Sequence, residues 1–128
     1  MPEKVLYEYA VIRIVPRVEK EEFFNAGVIL YCKDRKYLNT ITHLNLKKLS
    51  CFAPDADVEE INAHLNAYEQ IAKGESKGGP IARLDMASRF RWLTATRSTM
   101  VQSSQTHSGY CEDPEKALED LFEKYIGK

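Results

Sequence analysis

The segment Val5–Arg17, VLYEYAVIRIVPR, decides how the rest of the chain is read. In an extended strand successive side chains fall on opposite faces. One face then holds Tyr7, Tyr9, Val11, Arg13 and Val15, and the other Leu6, Glu8, Ala10, Ile12 and Ile14. Both are largely apolar, so both need covering, and the segment reads as an interior strand. Pro16 ends it, because proline has no N–H to give a sheet. Glu8 and Arg13 are the polar exceptions.

Working outward, VEKEEFFNAG is charged and turn-like, with Gly27 relaxing the backbone before a second strand, VILYC. The hairpin-length loop KDRK leads to a third strand, YLNTITH, giving an antiparallel meander up to Leu44. Helical signals follow. LNLKKLSCF predicts a short helix capped by Asn45. DADVEEINAHLNAYEQIAKG predicts a longer one, with Asp57 and Glu60 at capping-box spacing and Gly74 as its stop. Its apolar stripe is Val58, Ile61, Leu65, Tyr68 and Ala72. GESKGGP is expected to be a flexible surface loop, and DMASRFRWLTA a helix capped by Asp85 with Met86, Phe90 and Leu93 inward. TRSTMVQSSQTH reads as an extended strand or loop. DPEKALEDLFEKYIG predicts a last helix, with Asp113 at the cap, Pro114 at the first position, and Leu118, Leu121, Phe122 and Tyr125 inward. Strands followed by helices make the class α+β: an N-terminal meander with three to four helices packed against it, in one domain of 128 residues.

Composition excludes several functions. A net charge of −1 rules out a bulk polyelectrolyte partner for nucleic acid or membrane. No apolar run approaches the roughly 18 residues that span a bilayer. MPEKVLYEYAVIRIV lacks the features of a secretory signal, so the expected location is the cytoplasm. Cys32, Cys51 and Cys111 are odd in number and far apart, as expected of reduced thiols. Only His107 and Cys111 have ligand-like spacing, and one pair cannot close a tetrahedral zinc site. No metal or other cofactor is implied. GESKGG lacks the spacing of a phosphate-binding loop.

One asymmetry remains. Arg83, Arg89, Arg91 and Arg97 lie between Ile81 and Arg97, where Asp85 is the only acid, and Met86–Cys111 contains none. Arginine favours bidentate recognition of phosphate or carboxylate. Arg89, Arg91 and Arg97, with Ser98, Thr99 and His107, are therefore candidates for an anion site, and Trp92 for its stacking face. Alternatively, Arg89 and Arg91 occupy a solvent-facing side of a helix, Trp92 is core, and Arg97 or Arg13 pairs with Glu8. His107 is the sole candidate acid or base beside several serines, without a nucleophile elbow. Single-strand nucleic-acid binding on Trp92 is a third reading, opposed by the missing ribonucleoprotein motif and the net negative charge elsewhere.

Two segments, YEYAVIRIVPRVEKEEFFNAGVILYC and RFRWLTATRSTMVQSSQTHSGYCEDPEKALEDLF, resemble in this order the bacterial family catalogued as domain of unknown function 3037. The resemblance spans nearly the whole chain. The family's recurrent elements map onto Val15, Pro16 and Arg17; onto Asn25 and Gly27; and onto Arg89, Arg91, Trp92, Arg97 and Ser98. Thr96 stands where relatives carry a proline. The resemblance implies a small stand-alone bacterial protein without an assigned activity, sometimes encoded beside a protein resembling the HipA-type kinases. It points to an accessory, partner-binding role. The acid-free stretch is itself expected to sit where the N-terminal VPR and NAG corners meet it, so that Arg17, Arg89 and Arg97 converge on one anionic group. A small enzyme or binder acting on a phosphate-bearing ligand is the competing reading. Pairing of an exposed sheet edge across a two-fold axis, as a homodimer, is also open.

Overall fold

The computed structural model describes residues 3–20, 22–97 and 99–127. Its centre is β1 (Val5–Ile14), as the opening segment predicts. β2 (Phe24–Cys32) runs antiparallel along one side of β1, and β3 (Tyr37–Thr42) runs antiparallel beyond β2. The other side of β1 is shared by two strands in succession. β4 (Val101–Ser103) pairs with Ile12–Ile14, and β5 (His107–Cys111) pairs with Val5–Tyr9. The sheet thus has five antiparallel strands, with β4 and β5 end to end along one edge of β1.

Two irregularities bend this sheet. Ile12 faces Gly27 but Arg13 faces Asn25, so Ala26 is an extra residue on β2. Its carbonyl is taken by the backbone N–H of His43, 2.7 Å away. Between β4 and β5, Ala10 and Val11 of β1 face three residues, Ser104 to Thr106. Ser104 closes the gap: its N–H donates to the Val11 carbonyl at 2.8 Å, and its hydroxyl accepts from the Val11 N–H at 2.8 Å. A side chain therefore replaces the missing carbonyl of the ladder.

Helices cover both faces. α1 (Leu46–Phe52), α2 (Val58–Lys73) and α3 (Met86–Leu93) pack on the face carrying Ala10, Ile12, Ile14 and Ile29, through Leu49, Ile61, Leu65 and Phe90. α4 (Pro114–Tyr125) packs on the other face, where Val28, Leu30 and Cys32 meet Leu118. The architecture is a three-layer α+β sandwich. Each fully buried Ile, Leu or Val here contributes about 1.5–3 kcal/mol relative to an exposed position. Asn45, Asp57, Asp85 and Asp113 all accept from helix N–H groups as N-caps, and Gly74 ends α2 at φ 72°.

The structure corrects the sequence reading at four points. β2 starts at Phe24, inside the segment expected to be a turn. SGYC, outside every expected element, continues from His107 as β5. GESKGGP, expected to be a flexible loop, begins at the C-cap of α2 and from Ser76 onward lies in and between two 3₁₀ turns, Ser76–Gly78 and Pro80–Arg83. Val58, assigned to the α2 stripe, is exposed, and Ile71 is buried in its place.

Candidate functional site

α3 carries three of the candidate residues. Asp85 caps its first turn by accepting from Ser88 N–H at 3.1 Å, and the Thr94 hydroxyl donates to Phe90 carbonyl at 2.8 Å near its end. Phe90 and Leu93 enter the core, with the Phe90 ring 5.5 Å from that of Tyr31. The arginines flanking these anchors point to different places.

Arg89 turns toward the end of α2. Its Nη1 donates to Ala82 carbonyl at 3.3 Å, and its guanidinium lies over Gly74, where a β-carbon would collide with it. Its Nε is buried without a partner among the described residues. Arg17 pairs with Asp55 at 2.8 Å, and that hydrogen bond holds the Asp55 carboxyl below the usual carboxylate range. Asp55 precedes the start of α2 whereas Gly74 ends it. A 16-residue helix, about 24 Å long, therefore lies between Arg17 and Arg89. The expected convergence of Arg17, Arg89 and Arg97 on one group is not the arrangement the fold makes.

Arg97 lies over the Trp92 ring, 4.1 Å from its centroid, and donates to the Trp92 carbonyl. Trp92 is 38% exposed, so the reading of it as core does not hold. The two residues border a hollow of about 260 Å³ with His64, Tyr68, Ile71 and Thr99. Its floor is fixed by Tyr68, whose hydroxyl donates to Leu93 carbonyl at 3.0 Å and whose phenol burial pushes to a higher pKa. Among the described residues, Arg97 forms no ion pair. His64 faces Glu60 at 3.9 Å on the same helix.

Arg91 is exposed and borders two open depressions that share Glu8, one with Gln105 and Thr106 and the other with Leu6 and Tyr31. Neither Arg97 nor Arg13 pairs with Glu8; Arg13 lies 4.3 Å over the Phe23 ring. Ser98 lies outside the described residues. His107 stands on β5 opposite Tyr9, its ring 5.4 Å away. That is the α4 face of the sheet, whereas α3 packs on the other. The sheet thus separates His107 from the arginines it was expected to assist. Of the described serines near it, Ser103 donates to Ser104 carbonyl and Ser104 to Gln105 carbonyl, and Ser108 is exposed beside Glu8 on the other face of the sheet.

Among the described residues no group of three His, Cys, Asp or Glu side chains is placed to hold a metal. Cys32, Cys51 and Cys111 are unbridged. No helix among the described residues is long and apolar enough to cross a membrane. Sequence reasoning missed a second cleft, of about 420 Å³, between α4 and β5. Tyr7, Tyr110, Cys111, Lys116 and Leu121 are among its lining residues. The apolar second face of β1 and the amphipathic last helix were both legible; their meeting over an unassigned strand was not.

The family model described as "Protein of unknown function (DUF3037)" matches residues 9–126. No curated protein and no solved structure matches the chain.

Proposed function

We infer, for a chain that belongs to the DUF3037 family, a non-enzymatic binding module that engages an anionic group of a protein partner in the bacterial cytoplasm. The carrying observation is Arg97 stacked on Trp92 at the rim of a hollow that also offers His64 and Thr99. A guanidinium has five N–H donors, and Trp92 carbonyl takes one. The aromatic ring holds the side chain in place without neutralising its charge, so the remaining donors stay available for a carboxylate or phosphate. Arg89 and Arg17 serve a different purpose, since each is bound to the protein's own groups. The separation of His107 from α3 weighs against the phosphate-processing enzyme built on Arg89, Arg91, Arg97 and His107. Arg97 occupies one face of Trp92, which weighs against base stacking and hence against nucleic acid.

The test is binding of inorganic phosphate and of a glutamate-rich peptide by calorimetry at low and high salt, followed by capture of a HipA-type kinase encoded nearby. Arg97→Gln is expected to remove anion binding while Arg91→Gln retains it. Binding that survives Arg97→Gln overturns the assignment of this hollow.

A further inference from the structure

β5 is the edge of the sheet, and nothing on it protects that edge. Edge strands usually carry lysine, proline or a bulge that discourages pairing with another chain. His107–Cys111 has none of these and holds one constant register against β1.

The hydrogen-bond polarity of the edge follows from β1. Val11 and Val15 direct their peptide groups toward β4, bonding Ser104 and Met100. Alternation along β1 directs those of Val5, Tyr7 and Tyr9 toward their partners Cys111, Gly109 and His107. Ser108 and Tyr110 therefore present their N–H and C=O groups outward. Their side chains share the face of Leu6 and Glu8. There Tyr110 is 70% exposed and Leu6, directly opposite it, 47% exposed.

We propose that β5 pairs with β5 of a second copy of this chain, antiparallel and with Gly109 on the two-fold axis. In this register Ser108 faces the partner's Tyr110 and Tyr110 faces the partner's Ser108, so both outward peptide units on each strand are satisfied. Gly109 faces its own copy in a close, non-hydrogen-bonded pair, where the absence of a side chain suits the approach. Tyr7 already lies across Gly109, its hydroxyl 2.7 Å from where a β-carbon would stand. The axis thus sets the two Tyr7 side chains beside each other. On the other face each Tyr110 covers the partner's Ser108 and turns toward the partner's Glu8.

Charge selects a second copy over an unrelated strand. Arg91 borders the depression at the Gln105–Thr106 end of β5, whereas Glu112 follows its other end. The two-fold register places Glu112 opposite the partner's Thr106 and so beside the partner's Arg91, twice per dimer. Both residues are exposed, and neither forms an ion pair among the described residues. A parallel pairing would instead set the two Glu112 side chains together.

Sedimentation velocity and light scattering across a concentration series are the test, with far-UV circular dichroism to confirm folding. The wild type is expected to show twice the 14.7 kDa chain mass at high micromolar concentration. Tyr110→Lys and Glu112→Arg are each expected to give monomers, and Arg91→Glu combined with Glu112→Arg to restore the dimer. In the wild type, exchange of the Ser108 and Tyr110 amides should slow as concentration rises. A wild type that stays monomeric, or a dimer indifferent to Tyr110→Lys, overturns the proposal. Failure of the charge exchange to restore pairing overturns the register. Since Arg97 takes no part, phosphate binding in the Glu112→Arg monomer reads the inferred anion site separately.

Discussion

Tyr7 lies across Gly109 of the neighbouring strand, its hydroxyl 2.7 Å and its Cζ 2.8 Å from the position a β-carbon would take. An aromatic ring laid over a cross-strand glycine supplies the packing that the glycine lacks. Gly109→Ala must displace this ring. Because the obstruction is the end of a rotatable side chain, the expected loss is about 1 kcal/mol, the low end for overpacking. Gly27→Ala meets the backbone carbonyl of Ile41 at 2.5 Å, which cannot swing aside, and should cost about 3 kcal/mol. Urea denaturation of both variants checks the order. Adding Gly109→Ala to Tyr7→Ala should cost nothing further; additive losses would place the obstruction elsewhere.

Ser104 is 5% exposed and holds Val11 N–H where the β4–β5 bulge removes the usual carbonyl. Ser104→Ala leaves a buried donor unpaired, with an expected loss of about 1–3 kcal/mol. Hydrogen exchange at the Val11 amide should quicken selectively. If it stays slow, another group already holds that N–H.

Arg89 and Arg91 are two positions apart on α3 with different expected phenotypes. Arg89→Gln removes the donor to Ala82 carbonyl and the group lying over Gly74, for an expected loss of about 1–2 kcal/mol. Arg91→Gln touches only open depressions and should fall within about 0.5 kcal/mol of wild type in dilute protein. Equal effects would contradict this division of roles.

The Tyr9 phenol is raised from 10.0 to about 12, first by its hydrogen bond with Tyr125, whose hydroxyl lies 3.1 Å away, and then by burial. The folded state therefore keeps this proton after the unfolded chain has released it. Its contribution is complete below pH 10 and is lost as pH rises toward 12. Tyr9→Phe should make stability fall less steeply across that interval, read by urea denaturation at successive pH values. An unchanged slope would assign the alkaline loss to the other tyrosines, among which burial also raises Tyr7 and Tyr37.

What the sequence disclosed follows from where the apolar side chains lie. β1 was legible because Tyr7 and Tyr9 on one face and Ala10, Ile12 and Ile14 on the other both demand cover, and both receive it. The caps Asn45, Asp57, Asp85 and Asp113 were legible because short acceptors before helical periodicity have few other uses. β5 was not, since Ser108 and Tyr110 are exposed and Gly109 is covered from the neighbouring strand rather than by its own side chain. The acid-free stretch misled for a related reason. Arg89 and Arg97 answer to the carbonyls of Ala82 and Trp92 and to an indole ring, partners that a count of acids does not register.

The placement of β1 also governs the order in which the molecule can be completed. β1 is synthesised before every strand it joins, yet Val5 pairs with Cys111 and Tyr9 bonds to Tyr125. A nascent chain on the ribosome can close β1 against β2, and β2 against β3, early. The other side of β1 must then wait until β4 and β5 emerge at Val101–Cys111, and non-local closures of this kind slow folding. Until α4 emerges, Val28, Leu30 and Cys32 have no cover. Slow refolding, and a need for chaperone shielding during that interval, are what this topology implies for the newly made protein.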